Sequence, residues 1–199
     1  NDIFRTNKPK PIGGLDAALQ IGKNLNNIII FNSLSKRSSV PGIRAGFIVG
    51  DERIINGYKL LVSNGASPVP IPIQNVAASL YNDDNHNLEA CIHYDKNFEI
   101  VDKYLRPFYK NFKTPDAGFF LWLKVKDDQE AAKVLWNKFS LRVMPGSFMA
   151  KEIKGFNPGK GFLRISIVDE NKVVEEAMKR ICLFLQSNWT NYLGFFNDK

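Results

Sequence analysis

Four residues in one short segment have types and spacing that could do chemistry together. Ser33, Ser35 and Lys36 stand in the run Ser33-Leu34-Ser35-Lys36, directly after the apolar residues Ile28, Ile29, Ile30 and Phe31. That position is just past a strand end, at the edge where open α/β sheets bind ligands. A lysine amine there can form a Schiff base with a carbonyl cofactor once desolvation or neighbouring positive charge leaves some of it unprotonated. Eight residues on, Arg44 follows the turn sequence Pro41-Gly42-Ile43. Its planar fork of donors suits a phosphate dianion, and the hydroxyls of Ser33 and Ser35 can donate to the same oxygens. A fifth residue, Arg164, lies in Phe162-Leu163-Arg164-Ile165-Ser166; an arginine among apolar strand residues needs a carboxylate partner if it is buried. Ser-x-Ser-Lys alone is too short to carry this reading, because Lys36 and Arg37 serve equally well as a solvated pair after a strand and Arg44 as a surface ion-pair partner.

Other constellations are weaker. Cys91 and His93 are two apart on a helical pattern and so point to different faces, which makes a poor metal pair. His86 reads as a helix-start residue. Gly159-Lys160-Gly161 lacks the full dinucleotide fingerprint and precedes a strand rather than a helix. Phe119, Phe120, Leu121 and Trp122 read as core of a small domain rather than a stacking platform. Lys151, Lys154 and Lys160 read as a solvated loop that could attract an acidic substrate.

These residues need elements to position them. The chain has 199 residues, of which 44% are hydrophobic and 24% charged, globular values that suit one large domain or a domain and a half. No apolar run approaches the roughly 20 residues of a bilayer-spanning helix. The 27 basic and 20 acidic residues give a net charge of +7, but the lysines are scattered rather than gathered into a nucleic-acid stripe. Two cysteines far apart suggest neither a disulfide framework nor zinc, and point to a reducing cytoplasm.

Apolar spacing predicts a short helix over 15–21. The β-branched run 28–31 and the run 45–49 predict strands covered on both faces, as in a mostly parallel sheet. Asp51 can cap a helix with Ile54, Ile55, Tyr58, Leu61 and Val62 on one face, ending near Gly65. Pro68, Pro70 and Pro72 stiffen the connection that follows. A helix through Val76 and Leu80 breaks at 82–85, and a longer one carries Leu88, Cys91, Ile92, Asp95, Phe98, Val101, Leu105 and Phe108 on one face. Strands at 119–125, 141–144 and 162–167 and helices at 129–139 and 172–185 follow. The aromatic residues after Ser187 show no period. The expected division is 1–75, 76–110 for interdomain helices, and 111–199 for a smaller α+β domain.

The combination of Ser33-Leu34-Ser35-Lys36 with Pro41-Gly42-Ile43-Arg44-Ala45-Gly46 resembles the cofactor-lysine signature of the class I/II aminotransferases, which use pyridoxal 5'-phosphate (PLP). Residues 74–78, 81–84 with His86, 94–98, 115–117 with Phe119 and Leu121 to Leu123, 145–148, and 155–159 before Arg164 resemble blocks of one branch. That branch is the bacterial succinyldiaminopimelate aminotransferases of lysine biosynthesis, and the resemblance covers residues 1 to 186. It implies an α/β fold of the fold type I PLP-dependent transferases: the C-terminal part of the large, mostly parallel-sheet domain plus the small α+β domain. By the same resemblance Lys36 is the Schiff-base lysine and proton-moving base, and Ser33, Ser35 and Arg44 hold the phosphate. Arg164 takes the substrate α-carboxylate. Asn64 and Ser67 lie in a loop that reaches the neighbouring subunit of a homodimer. The implied reaction moves an amino group between glutamate or 2-oxoglutarate and N-succinyl-diaminopimelate, with another amino acid transamination or C–S lysis on the same residues as alternatives, or a non-catalytic fragment.

The resemblance also implies elements that these residues lack. The family pairs the cofactor's pyridinium nitrogen and phenolic oxygen with an Asp-x-x-Tyr element, and Asn1-Asp2-Ile3-Phe4 resembles the residues just after that tyrosine. The 199 residues therefore read as the C-terminal part of a longer enzyme, and the isolated chain is expected to be inactive.

Overall fold

The computed structural model describes residues 2–22, 24–66, 68–109 and 111–187. The chain divides into two compact units, Asn1–Ile92 and His93–Lys199.

The first unit opens with helix α1 (Gly14–Gly22), which buries only Ala18. Strand β1 (Ile29–Ser33) follows and leads without a break into the single-turn helix α2 (Leu34–Arg37). A 3-10 turn, Pro41–Ile43, precedes strand β2 (Gly46–Gly50). The two strands pair antiparallel from Ile29 opposite Gly50 to Ser33 opposite Gly46. The uninterrupted apolar run predicts cover on both faces, but Phe31 is 63% exposed and Phe47 43% exposed on this ribbon. A β-branched run records that a strand prefers apolar surroundings; it does not encode which strand pairs with it, or in which direction.

Helix α3 (Glu52–Gly65) begins where Asp51 caps it. Asp51 is nearly inaccessible, accepting hydrogen bonds from the Arg53 N–H (2.9 Å), the Asn27 N–H (2.7 Å) and Arg53 Nη2 (2.8 Å). The helical period of α3 is present, yet none of its residues is buried. Helix α4 (Ile71–Asn82) starts with a proline in its first turn, where a missing N–H costs nothing. Helix α5 (Asn85–Leu105) has 21 residues and so runs about 31 Å. Its inward positions Cys91, Phe98, Val101 and Leu105 are fully buried, whereas Leu88 and Ile92 are exposed. The helix stops at Leu105 rather than reaching Phe108, and a turn brings Tyr109 to the interior instead, with the Tyr109 N–H on the Leu105 carbonyl.

The second unit is built on a three-stranded antiparallel sheet, in the order β3 (Phe120–Lys124), β5 (Phe162–Ser166), β4 (Met144–Pro145). Helices α6 (Asp128–Phe139) and α7 (Asn171–Gln186) pack together, and α6 also contacts β4 and β5. Alternation sorts the strands: Leu121, Leu123, Leu163 and Ile165 join Val134, Leu135, Met178 and Ile181 in the core. Trp122, expected in the core, is 50% exposed because it falls on the opposite face of the pleat. The strand expected over 141–144 shrinks to Met144–Pro145. Ser140 adopts a left-handed conformation (φ 53°) and the Leu141 N–H turns back to the Leu135 carbonyl, so this stretch closes α6 instead of pairing.

Asp128, 2% exposed, ties the segment between β4 and β5 at both ends. It accepts from the Ser147 N–H at 2.8 Å and from the Gly161 N–H at 3.1 Å. Burial pushes its carboxyl pKa up, but hydrogen bonds from the Ser147 hydroxyl and N–H and from Gly161 outweigh burial, and the net shift is downward. Within that segment Gly146 and Gly159 meet backbone to backbone, and a Cβ on either would overlap the other's carbonyl oxygen.

At Asp51 the Arg53 side chain, followed by the Asn27 N–H, holds the carboxyl well below the usual carboxylate range. A pKa depressed by folding stabilises the native state above the unfolded value of 3.8, and that stabilisation drains away as pH falls below it. Asp51→Asn should therefore lower the Tm at pH 7 and fall less steeply between pH 5 and pH 2 than the parent. Thermal unfolding across that range checks it, and parallel curves would contradict the linkage.

Candidate functional site

The register that sets Ser33 opposite Gly46 closes the segment 34–45 into a loop at one end of the ribbon. Ser33, Ser35, Lys36 and Arg44 are thereby gathered at that end, and α2 packs against the 3-10 turn. Ser33 Oγ caps α2 by accepting the Ser35 N–H at 3.2 Å, and donates to Ser35 Oγ at 3.0 Å. Lys36 is exposed on the outer side of this single turn. Leu34 beneath it is wholly buried, and its N–H donates to the Ala45 carbonyl at 3.3 Å.

Arg44 takes a left-handed conformation (φ 53°) at the end of the 3-10 turn, which swings its side chain out of the strand path. It is exposed; Nη1 donates to the Pro41 carbonyl at 2.9 Å, and among the described residues it has no carboxylate partner. Gly46, the next residue but one, must lack a Cβ, since one would overlap the Asn32 carbonyl oxygen and stand 3.3 Å from Ser33 Cα.

Arg37 is not the solvated neighbour of Lys36 that the sequence allowed. It is 6% exposed, and its guanidinium reaches the junction of α4 and α5. Nη1 donates to the Leu80 carbonyl at 2.9 Å and the Asp83 carbonyl at 3.4 Å, Nη2 pairs with Asp84, and Cζ sits 5.6 Å from the Tyr81 ring centre. Tyr81 in turn donates to Asn32 Oδ1 at 3.1 Å, and Asn32 Nδ2 donates to Asp2 Oδ2 at 2.9 Å. Burial, followed by the Asp2 charge, pushes the Tyr81 phenol up. His86 is in the first turn of α5 as expected, and its hydrogen bond, followed by the Asn85 N–H, holds the Asp83 carboxyl down. Residues 81–84 and His86 carry a visible sequence block, but nothing in it announced that they would grip Arg37.

Arg164 belongs to the second unit. Its cross-strand neighbours are Trp122 on one side and Met144 on the other, so these side chains share the face turned away from the core. Arg164 is half-buried, and its guanidinium lies 4.5 Å from the centre of the Phe120 ring. That stacking orients the planar fork, and among the described residues no carboxylate meets it. On the same face Trp122 and Phe162 line a cavity of about 340 Å³ with Met149 and Pro158. Lys151, Lys154 and Lys160 are exposed on the connection leading into β5. Asn64 is exposed near the end of α3 with Nδ2 on the Leu60 carbonyl, and Ser67 lies outside the described residues.

A strand, a short helix bearing an amine, and a turn bearing an arginine form a donor set for a phosphorylated carbonyl compound. A donor set of this kind suits an enzyme that works with a phosphorylated carbonyl cofactor. The chain is a member of the class I and II aminotransferase family, whose model matches residues 8–181. Among solved structures it is similar to an aminotransferase from Neisseria meningitidis, with a TM-score of 0.84 and 34% identity, covering 92% of this chain and 47% of that one. An aminotransferase from Helicobacter pylori has a TM-score of 0.81 at 26% identity. Among curated relatives, an LL-diaminopimelate aminotransferase of Natranaerobius thermophilus is 30% identical over 158 residues, 77% of this chain and 39% of that protein. An aspartate aminotransferase of Thermotoga maritima is 26% identical over 170 residues, 85% of this chain and 42% of that protein. The chain thus spans about two-fifths of the length of these curated relatives.

The fold is that of the fold type I PLP-dependent transferases, of which the α/β elements described above form a part. The family depends on PLP. The residues present fit that cofactor: an exposed amine for its aldehyde, and two hydroxyls with an arginine lacking a carboxylate partner for its phosphate. Gly46→Ala should force the ribbon apart beside this donor set, destabilising the first unit by about 1 to 3 kcal/mol. Chemical denaturation measures it, and an unchanged midpoint would show that the strands separate freely.

Proposed function

We propose that the complete protein is a homodimeric aminotransferase that exchanges an amino group between glutamate or 2-oxoglutarate and N-succinyl-diaminopimelate in a reducing cytoplasm. Residues 1–75 then belong to its PLP-binding domain, 76–110 to interdomain helices and 111–199 to the small domain. When bound, PLP supplies the electron sink that makes the substrate Cα proton removable. Lys36 anchors the cofactor's aldehyde and is the base that holds and moves the proton at the substrate Cα. Ser33, Ser35 and Arg44 neutralise and orient the phosphate. Arg164 receives the substrate α-carboxylate with two parallel N–H donors, and its stack on Phe120 keeps the fork in plane. Asn64 and Ser67 contact the site of the partner subunit.

The observation that carries this reading is the gathering of Ser33, Ser35, Lys36 and Arg44 on one closed loop at the end of the β1–β2 ribbon, in a chain whose family depends on PLP. The succinylated substrate is supported by the sequence blocks of that branch and by charge. Its distal end is doubly anionic, whereas the distal end of free diaminopimelate is zwitterionic, and Lys151, Lys154 and Lys160 stand exposed before β5. The names of the relatives favour a second reading, LL-diaminopimelate itself.

Turnover of the complete protein on N-succinyl-diaminopimelate, LL-diaminopimelate and aspartate, each with 2-oxoglutarate, separates these substrates. The succinylated compound should give the highest kcat/KM, and its value should fall more with added salt than that for LL-diaminopimelate. Lys36→Ala should abolish transamination and the visible absorbance of the bound cofactor while leaving the far-UV dichroism unchanged. Arg164→Lys should weaken glutamate by about 2 kcal/mol, roughly 30-fold, with little change in PLP affinity. Arg44→Lys should do the opposite; equal losses of both ligands in both variants would mean that the phosphate and carboxylate roles are wrongly assigned.

A further inference from the structure

Lys36 stands on a helix of four residues, too short to hold itself by its own hydrogen bonds. Its precision must come from what surrounds it. On the N-terminal side Leu34 is buried and Asn32 accepts the Tyr81 hydroxyl. On the C-terminal side Arg37 sends its fork across to the carbonyls of Leu80 and Asp83 and to Asp84. The grip is returned from α5: Asn87 Nδ2 donates to the Arg37 carbonyl at 3.2 Å, and His86 Nε2 lies 2.8 Å from Ser38 Oγ. The Ser38 N–H closes the turn on the Leu34 carbonyl at 3.0 Å. Residues 80–87 therefore hold the chain both before and after Lys36.

We propose that Arg37 is a positioning residue for Lys36: its buried guanidinium locks the single-turn helix to the α4–α5 junction and so fixes where the Lys36 amine points. This rests on the assignment of Lys36 made above. The Asp84 carboxylate is 88% exposed, so that ion pair adds little, and the two carbonyl bonds with the Tyr81 stack do the holding. Those contacts need a rigid planar fork. A lysine ammonium carries a charge but cannot reach two carbonyls and stack at once.

The test uses Arg37→Lys in the complete protein, with His86→Ala as a second variant that removes the Ser38 contact and leaves no buried charge unpaired. Arg37→Lys should lower kcat about 10- to 100-fold, as misplacement by an ångström does, with the KM for glutamate and the PLP affinity each within about threefold. Amide hydrogen exchange, measured without added cofactor, should quicken at residues 34–38 and stay unchanged elsewhere. His86→Ala should shift kcat and exchange in the same directions, less far, and decides the matter if Arg37→Lys does not fold. Wild-type kcat with unchanged exchange in the folded variants would overturn the proposal. Exchange that quickens throughout the first unit, with KM and PLP affinity collapsing together, would also overturn it, because that is general destabilisation. Lys36→Ala run in parallel separates the two assignments: if it retains turnover, the reading of Lys36 is what fails.

Discussion

The strand register that brings Ser33 opposite Gly46 is the constraint on which the first unit's chemistry depends. A register slipped by one residue would turn every side chain of the slipped strand to the other face. Here it ends where the chain passes from β1 straight into α2, so amine, hydroxyls and guanidinium leave the ribbon from one end. The close approach of Gly46 to the Asn32 carbonyl fixes that ending, because no other residue fits between the strands. The left-handed Arg44 then redirects its side chain instead of continuing the strand. Backbone geometry, more than side-chain attraction, assembles the donor set.

The second unit reaches a complementary result by pleating. Residues on β3 and β5 alternate so strictly that Leu163 and Ile165 are buried while Arg164 between them faces outward. An arginine in the middle of a sheet would ordinarily need a carboxylate. This one has the face of Phe120 instead, a contact worth on the order of 1 kcal/mol. The aromatic face thus takes the place an ion pair would otherwise fill among the described residues.

Much of this was legible in residue order. Helical spacing marked α3 to α7, Asp51 marked the start of α3, and Ser33, Ser35, Lys36 and Arg44 stood out by type and interval, whereas Pro72, expected in the stiff connection, lies in the first turn of α4. The remainder depends on contacts between distant residues, which local pattern does not carry. The direction of β1–β2 pairing, the exposure of Phe31 and Trp122, and the surrender of residues 141–143 to the end of α6 are settled by tertiary partners. Arg37 is the sharpest case, because its neighbour Lys36 is exposed and nothing in the local sequence distinguishes a basic residue headed for solvent from one headed for the carbonyls of a distant helix end. The aromatic residues after Ser187 lie outside the described residues.

The single carboxylate of Asp128 holds Ser147 at one end of a long connection and Gly161 at the other. The base of that excursion is therefore pinned independently of what lies along it. Insertions or deletions among the exposed residues near Lys151 and Lys154 would change the loop's closure entropy only slightly. The strands that flank it, including the one bearing Arg164, would stay in register. Such an arrangement separates the length and sequence of the rim from the register of the strand behind it.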